Sequence, residues 1–105
     1  MSNNNRNLAL AWYRQDQWKL ILDYSTDSNK LERTHQKWLE HAKEKVDEMG
    51  KSGINVVKID INMEEMKKWC ERHKKQIDGR TRSEYAVFLA QNNLNILDHT
   101  CPDQI

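Results

Sequence analysis

The stretch KSGINVVKIDINMEE, residues 51–65, decides the fold, because it changes from a loop to a strand and then to a helix. Residues 54–61 are rich in β-branched side chains and alternate between aliphatic residues on one face and polar ones, such as Lys58 and Asp60, on the other. This alternation predicts a β-strand. Asn62 comes next, and a glutamate three residues later completes a capping-box pattern, which predicts that a helix begins here.

The segment before this strand carries the clearest helical pattern in the chain. Between residues 30 and 49, apolar residues recur at spacings of three and four, while Lys and Glu fill the opposite face. Asn29 with Glu32 forms a capping-box pattern at the start, and Gly50 stands where a left-handed C-cap residue belongs. The sequence therefore predicts a long amphipathic helix that ends at this glycine.

Two shorter elements are predicted nearer the N-terminus. Residues 8–13 alternate between two apolar faces, which suits a short strand covered on both sides. Residues 16–25 place Trp18 and Ile21 on one helical face, with an aspartate in the first turn, where the helix dipole favours a carboxylate. Residues 1–7 are polar and rich in Asn, so we expect a flexible leader there.

Two helices are predicted after the strand. The first runs through residues 63–77 and turns one stripe toward the core, made of Met63, Met66, Trp69, Cys70, His73 and Ile77. An Asp-Gly pair at residues 78–79 interrupts the pattern, and Thr81 with Glu84 forms a capping-box pattern that opens the last helix. Residues 95–105 are predicted to be a loose acidic tail.

Together these elements predict an α+β fold: a helix-rich single domain over residues 8–94, in the order β-α-α-β-α-α, with a small two-stranded sheet packed against helices. A sheet of two strands is marginal in water unless helices cover a face. A second copy of the chain could also extend its edge, so a homodimer is one hypothesis. The order and direction of the strands do not follow from the sequence.

The composition bounds the class of protein. Apolar residues make up 37% and charged residues 31% of the 105 residues. The longest apolar run near the N-terminus, residues 8–13, is shorter than the roughly 7 to 15 residues of a signal peptide and the about 20 of a membrane helix. Two cysteines are too few for a disulfide framework. We therefore expect a cytoplasmic protein with reduced thiols and no membrane segment.

One succession of aromatic, aliphatic and polar positions runs through most of the chain: Trp18, Leu31-Glu32, Trp38-Leu39, Val56 to Ile61, Trp69-Cys70, Ile77-Asp78-Gly79 and Arg82-Ser83-Glu84-Tyr85. It resembles a family of short, uncharacterised bacterial proteins and spans residues 12 to 90. The resemblance implies a compact bacterial domain. It implies no activity, cofactor or site residue.

Charge is unevenly distributed although the net charge is only +1. Residues 62–82 carry seven basic and four acidic side chains, whereas residues 83–105 carry three acidic side chains and no Lys or Arg. The basic segment spans two predicted helices joined by a short turn, which resembles a helix-turn-helix. Nucleic-acid binding through residues 62–85 is therefore an alternative function, with Lys68, Arg72, Lys75, Arg80, Arg82 and Tyr85 as candidate binding residues. Lys and Glu at i,i+4 spacing in this segment equally fit an ordinary solvated helix face.

Two Cys and His pairs define a third alternative. Cys70 and His73 share a helical face, and His99 and Cys101 form a close pair near the C-terminus. Two sulfurs and two nitrogens are the donors of a tetrahedral zinc site, and a Cys with a His can also form a reactive thiol. The spacing matches no standard zinc finger, and packing alone explains a free Cys on a core stripe. We therefore favour the interpretation that Cys70 packs in an ordinary core over a metal or thiol site.

No pattern of residues points to catalysis. The chain has three glycines and no glycine-rich phosphate loop, no His-Glu-x-x-His pattern and no Gly-x-Ser-x-Gly elbow. Each predicted element has a structural explanation for its residues. The leading hypothesis is a small non-enzymatic protein-interaction or regulatory module that self-associates, needs no cofactor and binds no membrane.

Overall fold

The computed structural model describes residues 6–97, and within them two strands and four α-helices follow in the predicted order β-α-α-β-α-α. The elements are β1 (Arg6–Trp12), α1 (Gln15–Tyr24), α2 (His35–Lys51), β2 (Ile54–Asp60), α3 (Met63–Arg72) and α4 (Gly79–Gln91), with a 3-10 turn at Ser28–Lys30. The prediction of a helix-rich α+β domain is confirmed. Residues 6–7 of the predicted leader (1–7) belong to β1, and residues 95–97 of the predicted tail (95–105) bond to β2. The rest of both segments lies outside the described residues.

The two strands form a parallel sheet, in which Arg6 lies opposite Ile54 and Trp12 opposite Asp60. Parallel neighbours need a crossover connection, because the chain must return to the end of the sheet where it started. Here α1, the 3-10 turn and α2 provide that connection. The long helical pattern at the centre of the sequence therefore has a topological role.

The two edges of this sheet differ. On the outer edge of β2, the Asp60 N–H donates to the Asn95 carbonyl (2.8 Å) and the Leu97 N–H donates to the Lys58 carbonyl (2.9 Å). Ile96 forms an isolated antiparallel bridge with Ile59 at the same place. On the outer edge of β1, no backbone of residues 6–97 forms a hydrogen bond. Among the described residues, one edge is thus covered by the chain itself and the other is open.

Helices cover the sheet unequally. Trp12 and Lys58 lie on the face toward α2, since the Trp12 ring contacts Trp38 of α2 at 5.2 Å. On the opposite face, the sheet packs against α4, and the buried core takes residues from both strand ends and from three helices: Tyr13, Trp18, Ile21, Ile59, Ile61, Met63, Met66, Trp69, Cys70, Ile77, Tyr85, Ala86 and Leu89. No residue of α2 is buried. The α2 face of β1 is therefore the least covered part of the sheet.

The start of α2 differs from the prediction. Its N-cap is Thr34, whose side-chain oxygen accepts from the Lys37 N–H at 3.2 Å, and the predicted cap Asn29 lies in the 3-10 turn. Gly50 lies inside the helix, and the left-handed backbone belongs to Gly53 (φ 82°). A polar run with several possible caps leaves the starting residue open, because each of its Ser, Thr, Asp and Asn side chains can cap a helix.

The end of α3 is also corrected. The helix stops at Arg72 and not at residue 77, because Lys74 adopts a left-handed backbone (φ 56°) and the Lys75 N–H donates to the Cys70 carbonyl at 2.9 Å. This 6→1 bond is a Schellman ending, usually made with glycine. His73 becomes the C-cap and lies outside the helix.

Two helix starts after β2 were predicted by capping patterns. Asn62 caps α3 as predicted, since its side chain accepts from the Glu65 N–H at 3.0 Å. For α4 the predicted cap is wrong: Asp78 is the N-cap and Thr81 is the third residue of the box, with the Thr81 N–H donating to Asp78 Oδ1 at 3.0 Å. The predicted box begins at Thr81, three residues after the true N-cap Asp78, because Thr can serve at either end of such a box.

Candidate functional surfaces

An ion pair between the buried Arg82 and the partly exposed Asp27 joins the loop after α1 to the start of α4. Arg82 is 6% exposed, and its two terminal nitrogens donate to the two carboxylate oxygens of Asp27 at 2.9 Å each. The same guanidinium donates to the Ser25 hydroxyl at 2.8 Å, and the Gly79 N–H donates to Asp27 at 3.0 Å. We call these four residues the Asp27 junction. Its polar groups have partners within the chain, so it acts as a structural link.

The junction controls the ionisation of the groups around it. The hydrogen bond from Arg82 is the main reason that the pKa of Asp27 lies below its ordinary value, although burial works in the opposite direction. Burial raises the pKa of Tyr13 to about 12, even though the Arg82 guanidinium lies close enough to lower it. Asp27 is therefore charged and Tyr13 neutral at physiological pH.

The six predicted binding residues do not form one surface. Arg82 and Tyr85 are buried, at 6% and 5% exposure, although both were expected near the exposed start of the last helix. Both lie on the buried side of α4, which begins at Gly79 and therefore contains them in its first two turns. Lys75 and Arg80 lie on the surface and pair with one carboxylate, Glu84, at 2.8 and 3.6 Å.

The remaining two predicted residues, Lys68 and Arg72, are exposed on α3. In the part of the chain that the structure describes, neither forms a salt bridge. They lie four residues apart and so share one side of the helix. Of the six predicted binding residues, these two therefore keep a charge that no described carboxylate neutralises.

Cys70 and His73 are separated by the end of α3. Cys70 is 1% exposed, and burial raises the pKa of its thiol, whereas a reactive cysteine needs a lowered one. His73 lies on the surface with its ring 4.7 Å from Trp69. Residues 6–97 contain no group of three or more His, Cys, Asp or Glu side chains placed to hold a metal ion. The other predicted ligands, His99 and Cys101, lie outside the described residues.

A groove of about 340 Å³ lies between α3 and α4. Its lining combines aromatic, aliphatic and charged side chains: Glu65, Trp69, Arg72, Tyr85, Phe88, Leu89, Leu94 and Asn95. We call it the α3–α4 groove. It brings together two of the predicted binding residues, Arg72 and Tyr85. Sequence reasoning missed Phe88, which had been given no role and is 39% exposed. It also missed Glu65, which was interpreted only as a capping partner.

A second groove, of about 270 Å³, runs between β1 and α2, where the sheet is least covered. Leu10, Ala11, Leu31, Trp38 and Ala42 form its apolar lining, and Lys30, Glu32, His41 and Lys45 form its polar lining. The His41 Nδ1 and the Glu32 carboxylate lie 2.6 Å apart. We call it the β1–α2 groove. Nearby Leu8, on β1, is 37% exposed, so apolar surface continues along the open edge.

Comparison with protein-family models, with curated proteins and with solved structures gives no match to this chain. Among residues 6–97, no helix is both long enough and apolar enough to cross a membrane.

Proposed function

We propose that this chain is a small non-enzymatic protein-interaction module that pairs through the open edge of β1 with a strand of another chain, and that this other chain is a second copy. The observation that carries the proposal is the difference between the two sheet edges. Residues 95–97 cover β2, whereas no described residue bonds to the outer edge of β1. An uncovered edge presents unpaired N–H and C=O groups that another strand can bind.

The direction of each backbone group on β1 follows from one hydrogen bond. The Trp12 carbonyl accepts from the Ile61 N–H at 3.2 Å, so the backbone groups of Trp12 point toward β2. In a strand these groups alternate in direction from residue to residue. Leu8 and Leu10 therefore also point toward β2, while Asn7, Ala9 and Ala11 present three N–H and three C=O groups outward.

The side chains of β1 do not block this edge. Proteins protect open edges with charged side chains, prolines or bulges, and residues 7–13 contain no charged residue and no proline. Ala9 and Ala11 have small side chains, which let a second backbone approach closely. Apart from Arg6 at its first position, β1 therefore lacks the features that keep strands apart.

Two copies of β1 fit each other in an antiparallel arrangement about a twofold axis through Ala9. Ala9 then lies opposite its counterpart, and Asn7 opposite Ala11, so every outward group meets an outward group of the other copy. On the α2 face, Leu8 of one copy lies beside Leu10 of the other, at the mouth of the apolar β1–α2 groove. The exposed Leu8 thus gains an apolar environment, and the result is a four-stranded sheet.

The test measures mass in solution over a concentration series for the wild type and three variants. Leu8→Lys places a charge in the pair, and Ala9→Pro removes one outward N–H without touching the bonds to β2. Leu97→Lys is the matched control, because Leu97 is a similarly exposed leucine (48%) beside the other strand. We expect dimers for the wild type and Leu97→Lys and monomers for the other two. A wild type that stays monomeric at every concentration would overturn the proposal, as would equal dissociation by Leu97→Lys.

A further inference from the structure

The α3–α4 groove contains a polar group without a hydrogen-bond partner among residues 6–97. Tyr85 is 5% exposed and lines the groove, yet its hydroxyl forms no hydrogen bond to any residue between 6 and 97. A hydroxyl enclosed without a partner would be unfavourable, because it loses its bonds to water without replacement. The Tyr85 oxygen is not enclosed in this way, since it does not belong to the buried side-chain atoms that lack a partner. A hydroxyl that opens into a groove is different, since a bound molecule can supply the missing bond.

The walls of the groove suit a flat ring. Trp69, Tyr85 and Phe88 are neighbours, and the rings of Tyr85 and Phe88 lie within 20° of parallel with centroids 6.2 Å apart. Phe88 is 39% exposed, so part of this aromatic surface is accessible. Aromatic side chains with an open face are common stacking partners of nucleobases, each stack contributing substantially to binding.

Opposite charges flank these rings. Glu65 and Arg72 both line the groove and lie seven residues apart on α3, which is about 10 Å along the helix axis. They form no salt bridge with each other in the part of the chain that is described. Lys68 lies between them on the same helix and is exposed. One end of the groove therefore offers the Glu65 carboxylate as an acceptor for N–H groups, and the other offers the Arg72 guanidinium.

We propose that the α3–α4 groove binds a nucleotide, with the base against Phe88 and Glu65 and the phosphate at Arg72. A base supplies both the flat face and the N–H donors that the Glu65 carboxylate can accept. A phosphate supplies the oxygens that a guanidinium binds in pairs. The Tyr85 hydroxyl bonds the base or the sugar between them. A free amino acid fits less well, because its two charges sit on one carbon and cannot reach both ends of the groove.

The proposal is independent of pairing at β1, because the groove lies on α3 and α4 and contains no residue of the strand edge. The shared chemistry of base and phosphate has two sources, a free mononucleotide and a single-stranded nucleic acid. Guanosine monophosphate, a short single-stranded RNA and inorganic phosphate are therefore titrated in parallel. Binding is followed by NMR, with the indole N–H signal of Trp69 as the reporter and that of the buried Trp18 as the control.

Two conservative variants locate the site. Tyr85→Phe removes only the hydroxyl and should weaken nucleotide binding about five-fold, whereas Tyr24→Phe, on α1, should not change it. Arg72→Gln should weaken binding by about ten-fold or more, whereas Arg33→Gln, in the loop before α2, should leave it unchanged. Tighter binding of RNA than of the mononucleotide assigns the polymer as the natural source, and the reverse assigns the free nucleotide. Both results support the groove.

Three outcomes overturn it. The first is the absence of any Trp69 shift with either nucleotide at millimolar concentration. The second is inorganic phosphate binding as tightly as the nucleotide, which would make Arg72 an anion site without base recognition. The third concerns Glu65→Gln: a carboxylate that accepts from the base predicts weaker binding, so tighter binding of this variant would show that Glu65 only repels the phosphate.

Discussion

The Asp27 junction and the α3–α4 groove lie one helical turn apart on α4. Their polar side chains differ in whether they have hydrogen-bond partners. In the junction, Arg82 is buried and its guanidinium donates to Asp27 and Ser25. In the groove, Tyr85 is equally buried, but its hydroxyl and the flanking Glu65 and Arg72 have no partners among the described residues. The contrast teaches that burial alone does not separate a structural residue from a binding residue. The decisive property is whether the polar atoms already have their bonds.

The largest effect is expected from breaking the junction. Asp27→Ala leaves the Arg82 guanidinium buried without its carboxylate, and we expect it to lower the free energy of unfolding by about 3 kcal/mol. Urea denaturation followed by circular dichroism measures this loss. Asp23→Ala, at an exposed aspartate of α1, is the matched control and should have little effect.

A double variant sharpens this test. Asp27→Ala combined with Arg82→Met removes both charges, so it should recover much of the stability that Asp27→Ala loses. If the double variant were as unstable as the sum of the two single variants, the two residues would be acting independently. The description of the junction as a coupled pair would then be wrong.

The sequence predicts the elements of this fold better than the contacts between them. Strand patterns, element order and the Asn62 cap depend on neighbours within a few positions, and all three are confirmed. Asp27 and Arg82 are 55 residues apart, and nothing in either local pattern indicates the other. The sequence predicts Arg82 as a candidate binding residue and leaves Asp27 as one of several possible caps in a polar run. The parallel direction of the strands likewise depends on the route of the crossover, which periodicity does not show.

The candidate site was predicted only in part, because its lining also depends on contacts between residues that are distant in the sequence. Arg72 and Tyr85 were identified from the basic segment, and the groove contains both. Phe88 was not identified, because apolar residues in the last helix repeat too closely to separate an inner from an outer face. The Schellman ending at Lys74 was missed because a lysine in a left-handed conformation is uncommon and has no sequence signature.

The pH dependence of stability gives a second test of the junction. The pKa of Asp27 in the folded protein lies below its ordinary value of 3.8, chiefly because of the Arg82 hydrogen bond. The pair therefore stabilises the fold fully above the unfolded pKa, and this contribution is lost as the pH falls through the folded pKa. Unfolding free energies of the wild type and Asp27→Asn, measured from neutral pH to acid, should converge at low pH. If the two curves of unfolding free energy stayed parallel at every pH, the ionisation of Asp27 would not contribute to the loss of stability in acid.

A smaller effect is expected at the start of α4. The Thr81 hydroxyl accepts from the Asp78 N–H at 2.8 Å and donates to the Gln76 carbonyl at 2.7 Å. Thr81→Ala removes both bonds from this capping box and should cost about 1 kcal/mol of unfolding free energy. Thr81→Ser keeps the hydroxyl and should recover most of the loss in the same denaturation measurement. Equal losses in both variants would assign the effect to the methyl group and not to the cap.

The smallest change in stability is expected at Tyr85, whose hydroxyl has no partner among the described residues, unlike the polar groups of the junction. Tyr85→Phe removes a hydroxyl that has no partner among the described residues, so the free energy of unfolding should change by less than about 0.5 kcal/mol or rise slightly. Tyr13→Phe is the contrasting variant, because the Tyr13 hydroxyl lies beside the Arg82 guanidinium and its loss should be measurably destabilising. A hydroxyl that holds the fold together lowers the stability when it is removed, whereas a hydroxyl that waits for a ligand does not. A large stability loss from Tyr85→Phe would therefore show that Tyr85, like Arg82, has a structural role. The groove would then lack the unsatisfied group on which its proposed ligand depends.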